Sequence, residues 1–274
     1  MSLGAIARPS GGLAMVAMDQ RESLRQMFTR ALEKNVPGAT LVDFKIAVAE
    51  ELSPYASALL LDNEFGSVAM GRLSCALIVA ADALEYSEPG VVADTRFDRA
   101  ALRGTRAVAA KLLVVWRRDG QRLRRVAMTR DFVRACHEAK LLAIVEGVVR
   151  RDDDDLLLEA ARELSATGSD VYKAEVPGFG KESIDATTRR CERITAAIDA
   201  PWVVLSAGVA PEDFERAVEA ACRGGASGFL AGRAIWSDAV GAPDVRVALR
   251  ERAVPRLQRL AEIVDRYARL RVAR

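Results

Sequence analysis

The stretch SDVYKAEVPGFGK (Ser169–Lys181) decides how the fold is interpreted, because its first half predicts a buried strand that contains a lysine, Lys173. Lysine is scarce in this protein: only six of its 40 basic residues are lysines. An ammonium group in a buried strand costs free energy unless it is paired or hydrogen-bonded. Lys173 is therefore the first candidate for a functional residue.

Other short apolar runs recur on both sides of this strand, separated by segments with a helical pattern. Most of the runs are nearly continuous in Val, Ile, Leu and Ala, which is typical of parallel strands buried on both faces. ESLRQMFTRALEK (Glu22–Lys34) and PEDFERAVEAACRGG (Pro211–Gly225) follow the 3.6-residue period of amphipathic helices. The predicted strands are Leu13–Asp19, Ser57–Asp62, Cys75–Asp82, Ala109–Trp116, Leu141–Val149, Ser169–Val176, Pro201–Gly208 and Ala226–Arg233.

Eight strands that alternate with helices predict an α/β fold of the (β/α)8 (TIM) barrel type, with residues 1–274 as a single domain. A C-terminal helix is expected from about Asp244 to Arg269, with a kink or break at Pro255. A doubly wound sheet is the alternative. It usually carries a glycine-rich turn after its first strand, whereas this chain has MDQRES (Met18–Ser23) there.

Composition excludes several classes of function. A formal net charge of +2 gives no sign of binding to nucleic acid or to an anionic membrane. With one histidine, His137, no site can use two or three imidazoles, and a structural or solvent-facing role is expected for it. The acidic run Asp152–Asp155 is interpreted as a solvated loop and helix cap rather than a metal site.

Cysteine usage and hydropathy indicate a cytoplasmic protein. No signal peptide is evident at the N-terminus. No apolar run approaches the roughly 20 residues that a membrane span requires. The cysteines lack CxxC spacing and are expected to be free thiols in a reducing compartment. They are Cys75, Cys136, Cys191 and Cys222.

Polar residues occur at the C-terminal ends of the predicted strands, where barrel enzymes build their sites. A set of structural ion pairs, such as Lys111 with Glu146, is the alternative interpretation. If two lysines and an arginine share one cavity, the pKa of an amine is expected to fall. An unprotonated lysine attacks carbonyls and forms a Schiff base, and nearby carboxylates can then move protons. The strand-end residues are Asp19, Asp62, Lys111, Glu146, Lys173, Glu175, Ser206 and Arg233, with Gln20 and Arg21 just beyond the first strand.

The last two predicted strands suggest an anion site. VLSAGV and GFLAGRAIW each place a glycine where backbone N–H groups can approach an anion. The ends of strands seven and eight are the usual phosphate site of such barrels. Ser206, Gly208, Gly232 and Arg233 are therefore predicted to hold a phosphate.

Six motifs in the same order resemble those of the class I (Schiff-base) sulfofructosephosphate aldolases and, less closely, the class I tagatose-1,6-bisphosphate aldolases. The resemblance implies a barrel that cleaves 6-deoxy-6-sulfofructose 1-phosphate to dihydroxyacetone phosphate and sulfolactaldehyde, without metal or cofactor. The family's Schiff-base lysine falls on Lys173, and its other catalytic positions fall on Asp19, Lys111 and Glu146. The motifs are MVAMDQRESLRQMF, LSPYASALLLD, KLLVVWR, DVYKAEVPGFGK, PWVVLSAGV and ASGFLAGRAIWS.

Two departures from the family pattern lie near the expected mouth of the barrel. Gly147 stands where a proline is expected, and the acidic loop after it is short. The identity of the group at the distal end of the substrate is therefore undecided, and tagatose 1,6-bisphosphate or another ketose phosphate is the alternative substrate. Candidates for binding the distal anion or the sugar are Gln20, Arg21, Asp62 and Lys181.

A phosphosugar-binding barrel without activity is a further alternative, in which Lys173 serves only as an ion-pair partner. The expected partner of the protein is a small-molecule sugar phosphate. A homo-oligomer is expected because related aldolases are oligomers. The amphipathic segment LQRLAEIVDRYARL (Leu257–Leu270) can pack on a second subunit, or it can cover the bottom of its own barrel.

Overall fold

Eight parallel strands close into a barrel in the computed structural model, which describes residues 2–268. Helices lie between successive strands, so the predicted (β/α)8 barrel is confirmed. Each predicted strand corresponds to one barrel strand, trimmed at its ends. The barrel strands are β1 Leu13–Met18, β2 Ala58–Leu61, β3 Ala76–Ala80, β6 Ala109–Val115, β7 Leu142–Val148, β8 Val171–Ala174, β9 Trp202–Val204 and β10 Gly228–Ala231.

The helices of the outer layer pack apolar faces against the barrel. The acidic run forms the start of α4, where the Asp153 side chain accepts a hydrogen bond from Leu156 N at 2.9 Å. Among the described residues, no helix has both the length and the apolar character needed to cross a membrane. The helices are α1 Glu22–Leu32, α2 Gly38–Leu52, α3 Arg122–Glu138, α4 Asp154–Ser165, α5 Ile184–Ala197, α6 Phe214–Arg223, α7 Arg233–Trp236, α8 Val245–Ala248 and α9 Val254–Tyr267.

The C-terminal helix covers the bottom of its own barrel. A π-helical turn, Leu249–Ala253, joins α8 to α9 and leaves Pro255 in the first turn of α9, where a missing N–H is tolerated. Val264 is buried against Gly12, the residue that precedes β1. Asp265 accepts two hydrogen bonds from the Arg8 guanidinium, at 2.8 and 2.7 Å. The predicted helix end at Arg269 lies outside the described residues.

A β-hairpin that was not predicted extends the chain between β3 and β6. Its antiparallel strands are β4 Asp82–Glu88 and β5 Val91–Phe97. Pro89 and Gly90 form the turn, and Gly90 (φ +79°) packs against Ser23 at the start of α1. This hairpin follows the C-terminal end of β3, so it lies over the mouth of the barrel.

Candidate active site

A cavity of about 430 Å³ opens at the C-terminal end of the barrel. Residues of three barrel strands, β6, β7 and β8, reach it, and the hairpin supplies one wall through Leu84, Val91 and Val92. The cavity therefore lies where barrel enzymes place their sites. The predicted site residues that line it are Asp19, Gln20, Lys111, Glu146, Lys173, Gly208 and Arg233.

Strand periodicity explains why three charged side chains of this cavity face inward. Side chains alternate along a strand, so residues two apart share a face. Lys111, Glu146 and Lys173 each come two residues after an apolar residue that packs inside the barrel; these are Ala109, Ile144 and Val171. Glu146 and Lys173 are also direct neighbours in the β7–β8 register. The apolar interior of the barrel thus ends in a charged layer.

Lys111 lies at the centre of this layer. Its Nζ is 2.6 Å from Asp19 Oδ2, 3.0 Å from Asp82 Oδ2 and 3.4 Å from Glu146 Oε2. Burial alone lowers the pKa of Lys111, but the three carboxylates outweigh burial and hold this pKa above its ordinary value. Lys111 is therefore not the amine whose pKa the converging cations depress, and it remains an ammonium.

Two of the carboxylates around Lys111, Asp19 and Asp82, have pKa values shifted in opposite directions. Burial raises the pKa of Asp19, yet the charges of Lys111, Lys173 and Arg21 outweigh burial and hold it below the ordinary value. Burial also raises the pKa of Asp82, and there the nearby Asp19 charge adds to the effect of burial. Asp19 is therefore the carboxylate that stays ionised, and Asp82 is more readily protonated than Asp19.

Lys173 has a simpler environment than Lys111. Its side chain is 4% exposed, and its Nζ is 3.0 Å from Glu146 Oε2. Among residues 2–268, Glu146 is the only carboxylate within 4 Å of the Lys173 amine. An amine beside one hydrogen-bonding carboxylate has the arrangement of a nucleophile with its own acid–base group.

Asp82 was missing from the predicted site, although it ended the third predicted strand. It is 4% exposed, and both of its carboxylate oxygens contact the Lys111 amine, at 3.0 and 3.2 Å. The signal that identified Asp19 and Asp62, a polar residue directly after an apolar run, applies equally to Asp82.

The predicted phosphate residues meet at the ends of β9 and β10. Gly208 and Arg233 line both the main cavity and an adjoining cavity of about 560 Å³, which Ser206 also lines. Gly208 adopts φ +80°, and a side chain there would overlap the ring of Phe179. Gly232 does not line either cavity; its hydrogen leaves room for the carbonyl oxygen of Ala17, where a Cβ would overlap. Gly232 therefore contributes close packing of β10 against β1.

Two of the predicted substrate-binding residues lie outside the cavity wall and have structural partners. Asp62 is fully buried, pairs with Lys45 and accepts a hydrogen bond from Phe65 N at 2.8 Å. Arg21 donates to the carbonyl oxygen of Asp82 at 2.9 Å and sits between Asp62 and Asp82. Direct contact with substrate is therefore not supported for either residue.

Of the other two candidates for substrate binding, Lys181 lies away from the cavity and Gln20 lines it. Lys181 is exposed and does not line the cavity, so its predicted role has no support from its position. Gln20 does line the cavity, and its Oε1 is buried without a hydrogen-bond partner in the described part of the chain. An unpaired buried acceptor at a cavity wall is well placed to receive a hydroxyl of a ligand.

Arg150, which directly follows the predicted fifth strand, is a cavity residue that the sequence analysis missed. Its Nη1 donates to the carbonyl oxygen of Val92 in the hairpin. The buried carboxylate of Glu175 fixes its backbone by accepting hydrogen bonds from Val149 N at 2.7 Å and from Arg150 N at 3.1 Å. No carboxylate among residues 2–268 forms a salt bridge with the Arg150 guanidinium, so it is free to bind an anion.

Gly147 occupies a position where a side chain has no room. A Cβ at this residue would overlap the hydroxyl of Tyr172 and would lie 3.1 Å from Leu164 Cδ1. Burial raises the pKa of Tyr172, with further contributions from Glu175 and Glu146, so the phenol stays protonated. The glycine that departs from the family pattern thus matches a tyrosine on the neighbouring strand.

The remaining sequence predictions concern residues away from the cavity. His137 is half exposed and lies 3.0 Å from Asp170, so its expected structural or solvent-facing role is confirmed. Asp152 and Asp154 pair with Arg190. Within the described residues, no group of three or more His, Cys, Asp or Glu side chains is arranged to hold a metal ion. The cysteines are free thiols, namely Cys75, Cys136, Cys191 and Cys222.

Comparisons with solved structures agree with the fold. A fructose-bisphosphate aldolase from Slackia heliotrinireducens superposes with a TM-score of 0.63 at 16% identity, covering 90% of this chain and 86% of that one. A structural-genomics protein from Corynebacterium glutamicum gives a TM-score of 0.66 at 17% identity, covering 93% and 87%. At these identities the likeness concerns the fold alone.

Sequence comparison identifies the family. A tagatose 1,6-diphosphate aldolase of Listeria monocytogenes is 29% identical, with 86% of this chain and 80% of the relative covered. Tagatose 1,6-diphosphate aldolase 2 of Streptococcus mutans is 27% identical, with 87% and 84% covered. The model of the DeoC/LacD family aldolases matches residues 13–238. The chain therefore belongs to the DeoC/LacD family of aldolases, and it is a lyase.

Proposed function

We propose that this aldolase works through a Schiff base between Lys173 and the C2 carbonyl of a ketose 1-phosphate. The observation that carries the proposal is the unequal pairing of the two lysines. Within residues 2–268, Lys111 contacts three carboxylates, whereas Lys173 contacts one, Glu146, at 3.0 Å. Because Lys111 is held as an ammonium, Lys173 is the amine that can give up a proton and attack a carbonyl.

The proposed reaction uses Glu146 as the acid–base group. Glu146 accepts a proton from the Lys173 ammonium, and the free Nζ adds to C2; Glu146 then returns this proton to the resulting hydroxyl, so that water leaves and the protonated imine forms. Glu146, ionised again, removes the proton of the C4 hydroxyl; the C3–C4 bond breaks and its electron pair moves into the imine as an enamine. The aldehyde half departs, C3 is protonated, and water hydrolyses the imine to release dihydroxyacetone phosphate and free Lys173.

Asp19 and Lys111 support these proton transfers. Asp19, which stays ionised, can hold the C3 and C4 hydroxyls or share in moving their protons. Lys111 contacts both Asp19 and Glu146, at 2.6 and 3.4 Å, and stabilises negative charge on whichever of them is ionised.

The substrate proposed here carries an anionic group at each end. Ser206, Gly208 and Arg233 would bind the 1-phosphate at the ends of β9 and β10. Arg150 would bind the distal anion, since its guanidinium lines the cavity without a carboxylate partner in the described residues. Arg150 and Arg233 both line the cavity, and in the described part of the chain neither forms a salt bridge with a carboxylate. Such a pair fits a doubly anionic ketose better than a ketose monophosphate.

Two substrates satisfy this description. The sequence motifs favour 6-deoxy-6-sulfofructose 1-phosphate, which would give sulfolactaldehyde as the second product. The names of the curated relatives favour tagatose 1,6-bisphosphate, which would give glyceraldehyde 3-phosphate. Comparison of kcat/KM for the two substrates on the same enzyme decides between them, because the ratio measures differential stabilisation of the transition state.

Borohydride trapping tests the chemistry. Reduction in the presence of substrate should attach the ketose covalently to Lys173, as mapped by peptide mass spectrometry. Lys173→Met should give no adduct, and Lys181→Met, which removes an exposed lysine eight residues away, should be trapped like the wild type. An adduct on any other lysine, or loss of activity on adding EDTA, would contradict the Schiff-base mechanism.

A further inference from the structure

Lys45 is a buried lysine beside the C-terminal end of β1 that the chemistry proposed above does not use. It lies on α2 and is fully buried. Its Nζ donates hydrogen bonds to the carbonyl oxygens of Met18, at 2.8 Å, and Gln20, at 2.7 Å. The same amine forms an ion pair with Asp62. The three N–H groups of the ammonium thus have three acceptors.

The two carbonyl groups that Lys45 holds belong to the residues on either side of Asp19. β1 ends at Met18, so the backbone that carries Asp19 lies beyond the last paired residue of the strand. Asp19 nevertheless keeps its carboxylate 2.6 Å from Lys111, which projects from β6 across the barrel. The hydrogen bonds from Lys45 replace strand pairing at the point where the position of Asp19 is set.

Asp62 orients the Lys45 amine and connects it to the rest of the site. It directly follows β2, the strand next to β1, and it also accepts a hydrogen bond from Phe65 N at 2.8 Å. Arg21 approaches the carboxylates of Asp62 and Asp82, at 3.9 Å from each. The Lys45–Asp62 pair therefore joins α2, the end of β2 and the end of β1 next to Asp19.

We infer that Lys45, oriented by Asp62, is a positioning residue that fixes the backbone on both sides of Asp19 and thereby aims its carboxylate at Lys111 and the substrate. The inference rests on the catalytic role proposed for Asp19. A purely structural pair would stabilise the barrel without acting through Asp19. The two roles differ in one measurable respect: whether removal of the Lys45–Asp62 pair still lowers kcat in a variant that lacks the Asp19 carboxylate.

The test is a mutant cycle on kcat. Lys45→Met combined with Asp62→Asn removes the pair without leaving one buried charge alone. In the wild-type background this double variant should lower kcat by about 10- to 100-fold, the range expected from displacing a catalytic group by up to about 1 Å. KM should remain close to the wild-type value, and the imine should still be trapped at Lys173.

In the Asp19→Asn background, the same double variant should lower kcat by no more than about twofold, because a pair that acts through the Asp19 carboxylate loses its effect once that carboxylate is gone. A full multiplicative loss there, or an unchanged kcat in the wild-type background, would overturn the positioning role. Failure to trap any imine in the wild-type enzyme would instead refute the proposed function, so the two failures can be told apart.

Two further variants serve as a control and as a substitute in case the first variant does not fold. Arg8→Met with Asp265→Asn removes an ion pair at the opposite end of the barrel and should leave kcat unchanged in both backgrounds. Should the methionine variant fail to fold, Lys45→Gln with Asp62→Asn keeps an uncharged amide NH2 group as a donor near the two carbonyls. That variant should show an intermediate fall in kcat, which disappears in the Asp19→Asn background.

Discussion

Lys111→Met removes the cation at the centre of the charged layer and should destabilise the protein in a pH-dependent manner. Methionine fills a similar volume, so the main change is loss of the ammonium. Asp19, Asp82 and Glu146 then lose a counter-ion at 2.6, 3.0 and 3.4 Å. Breaking a buried ion pair by removing one partner typically costs about 3–5 kcal/mol, and we expect a loss in this range at pH 8.

The sign of the pH dependence follows from the shifts in pKa. In the wild type, the pKa of Asp19 lies below its unfolded value of about 3.9, so its contribution to stability is present at all higher pH values. Without Lys111, burial should raise the pKa of Asp19 and raise that of Asp82 further. A raised carboxyl pKa makes the folded state lose stability as the pH rises above about 4.

The free energy of unfolding, measured by urea denaturation at pH 5 and pH 8, tests this reasoning. The loss caused by Lys111→Met should be greater at pH 8 than at pH 5 by at least about 1.4 kcal/mol, which corresponds to one pKa unit. Adding Asp82→Asn should recover part of the loss at pH 8. Lys181→Met, an exposed control, should change little at either pH. An equal loss at both pH values would refute the charge balance described here.

Two further predictions concern the mouth of the barrel. Gly147→Ala should lower the free energy of unfolding by about 1–3 kcal/mol, because the new methyl group overlaps the Tyr172 hydroxyl. The loss should be smaller when Tyr172→Phe is also present. A mutant cycle measured by denaturation that shows no coupling between the two changes would exclude this contact. Arg150→Met should raise KM for a doubly anionic ketose by about tenfold or more, since a hydrogen bond to a charged group contributes about 1.5–3 kcal/mol. For a ketose 1-phosphate without a distal anion the rise in KM should be much smaller, and equal effects on both substrates would remove Arg150 from the distal site.

The barrel was predictable because its strands are buried on both faces. Runs such as Ala109–Val115 are almost entirely apolar, which is typical of a parallel strand buried on both faces. The hairpin was missed because its strands are partly exposed and mix polar with apolar residues, as in Asp82–Glu88. Its turn, Pro89–Gly90, was the available sign, since this dipeptide marks turns.

Strand ends also predicted several of the residues that line the cavity, because parallel strands bring their C-terminal residues to one end of the barrel. Lys45 could not be found in this way, since it lies on a helix and reaches the site only through the packing of α2 against β1. The sign of the pKa shift at Lys111 was also beyond the sequence. It depends on which carboxylates lie within 4 Å, and that is decided by register and by the start of the hairpin.

The single oxygen that the two lysines share gives a reason for having both of them. Glu146 Oε2 lies 3.4 Å from Lys111 and 3.0 Å from Lys173. When Glu146 turns towards a substrate hydroxyl, Lys111 keeps Asp19 and Asp82, whereas Lys173 has no second carboxylate within 4 Å among the described residues. In the proposed mechanism, a proton passed from Lys173 to Glu146 leaves the amine free to attack, while the retained charge on Lys111 keeps the carboxylates in place. Under this proposal, one lysine preserves the geometry so that the other can react.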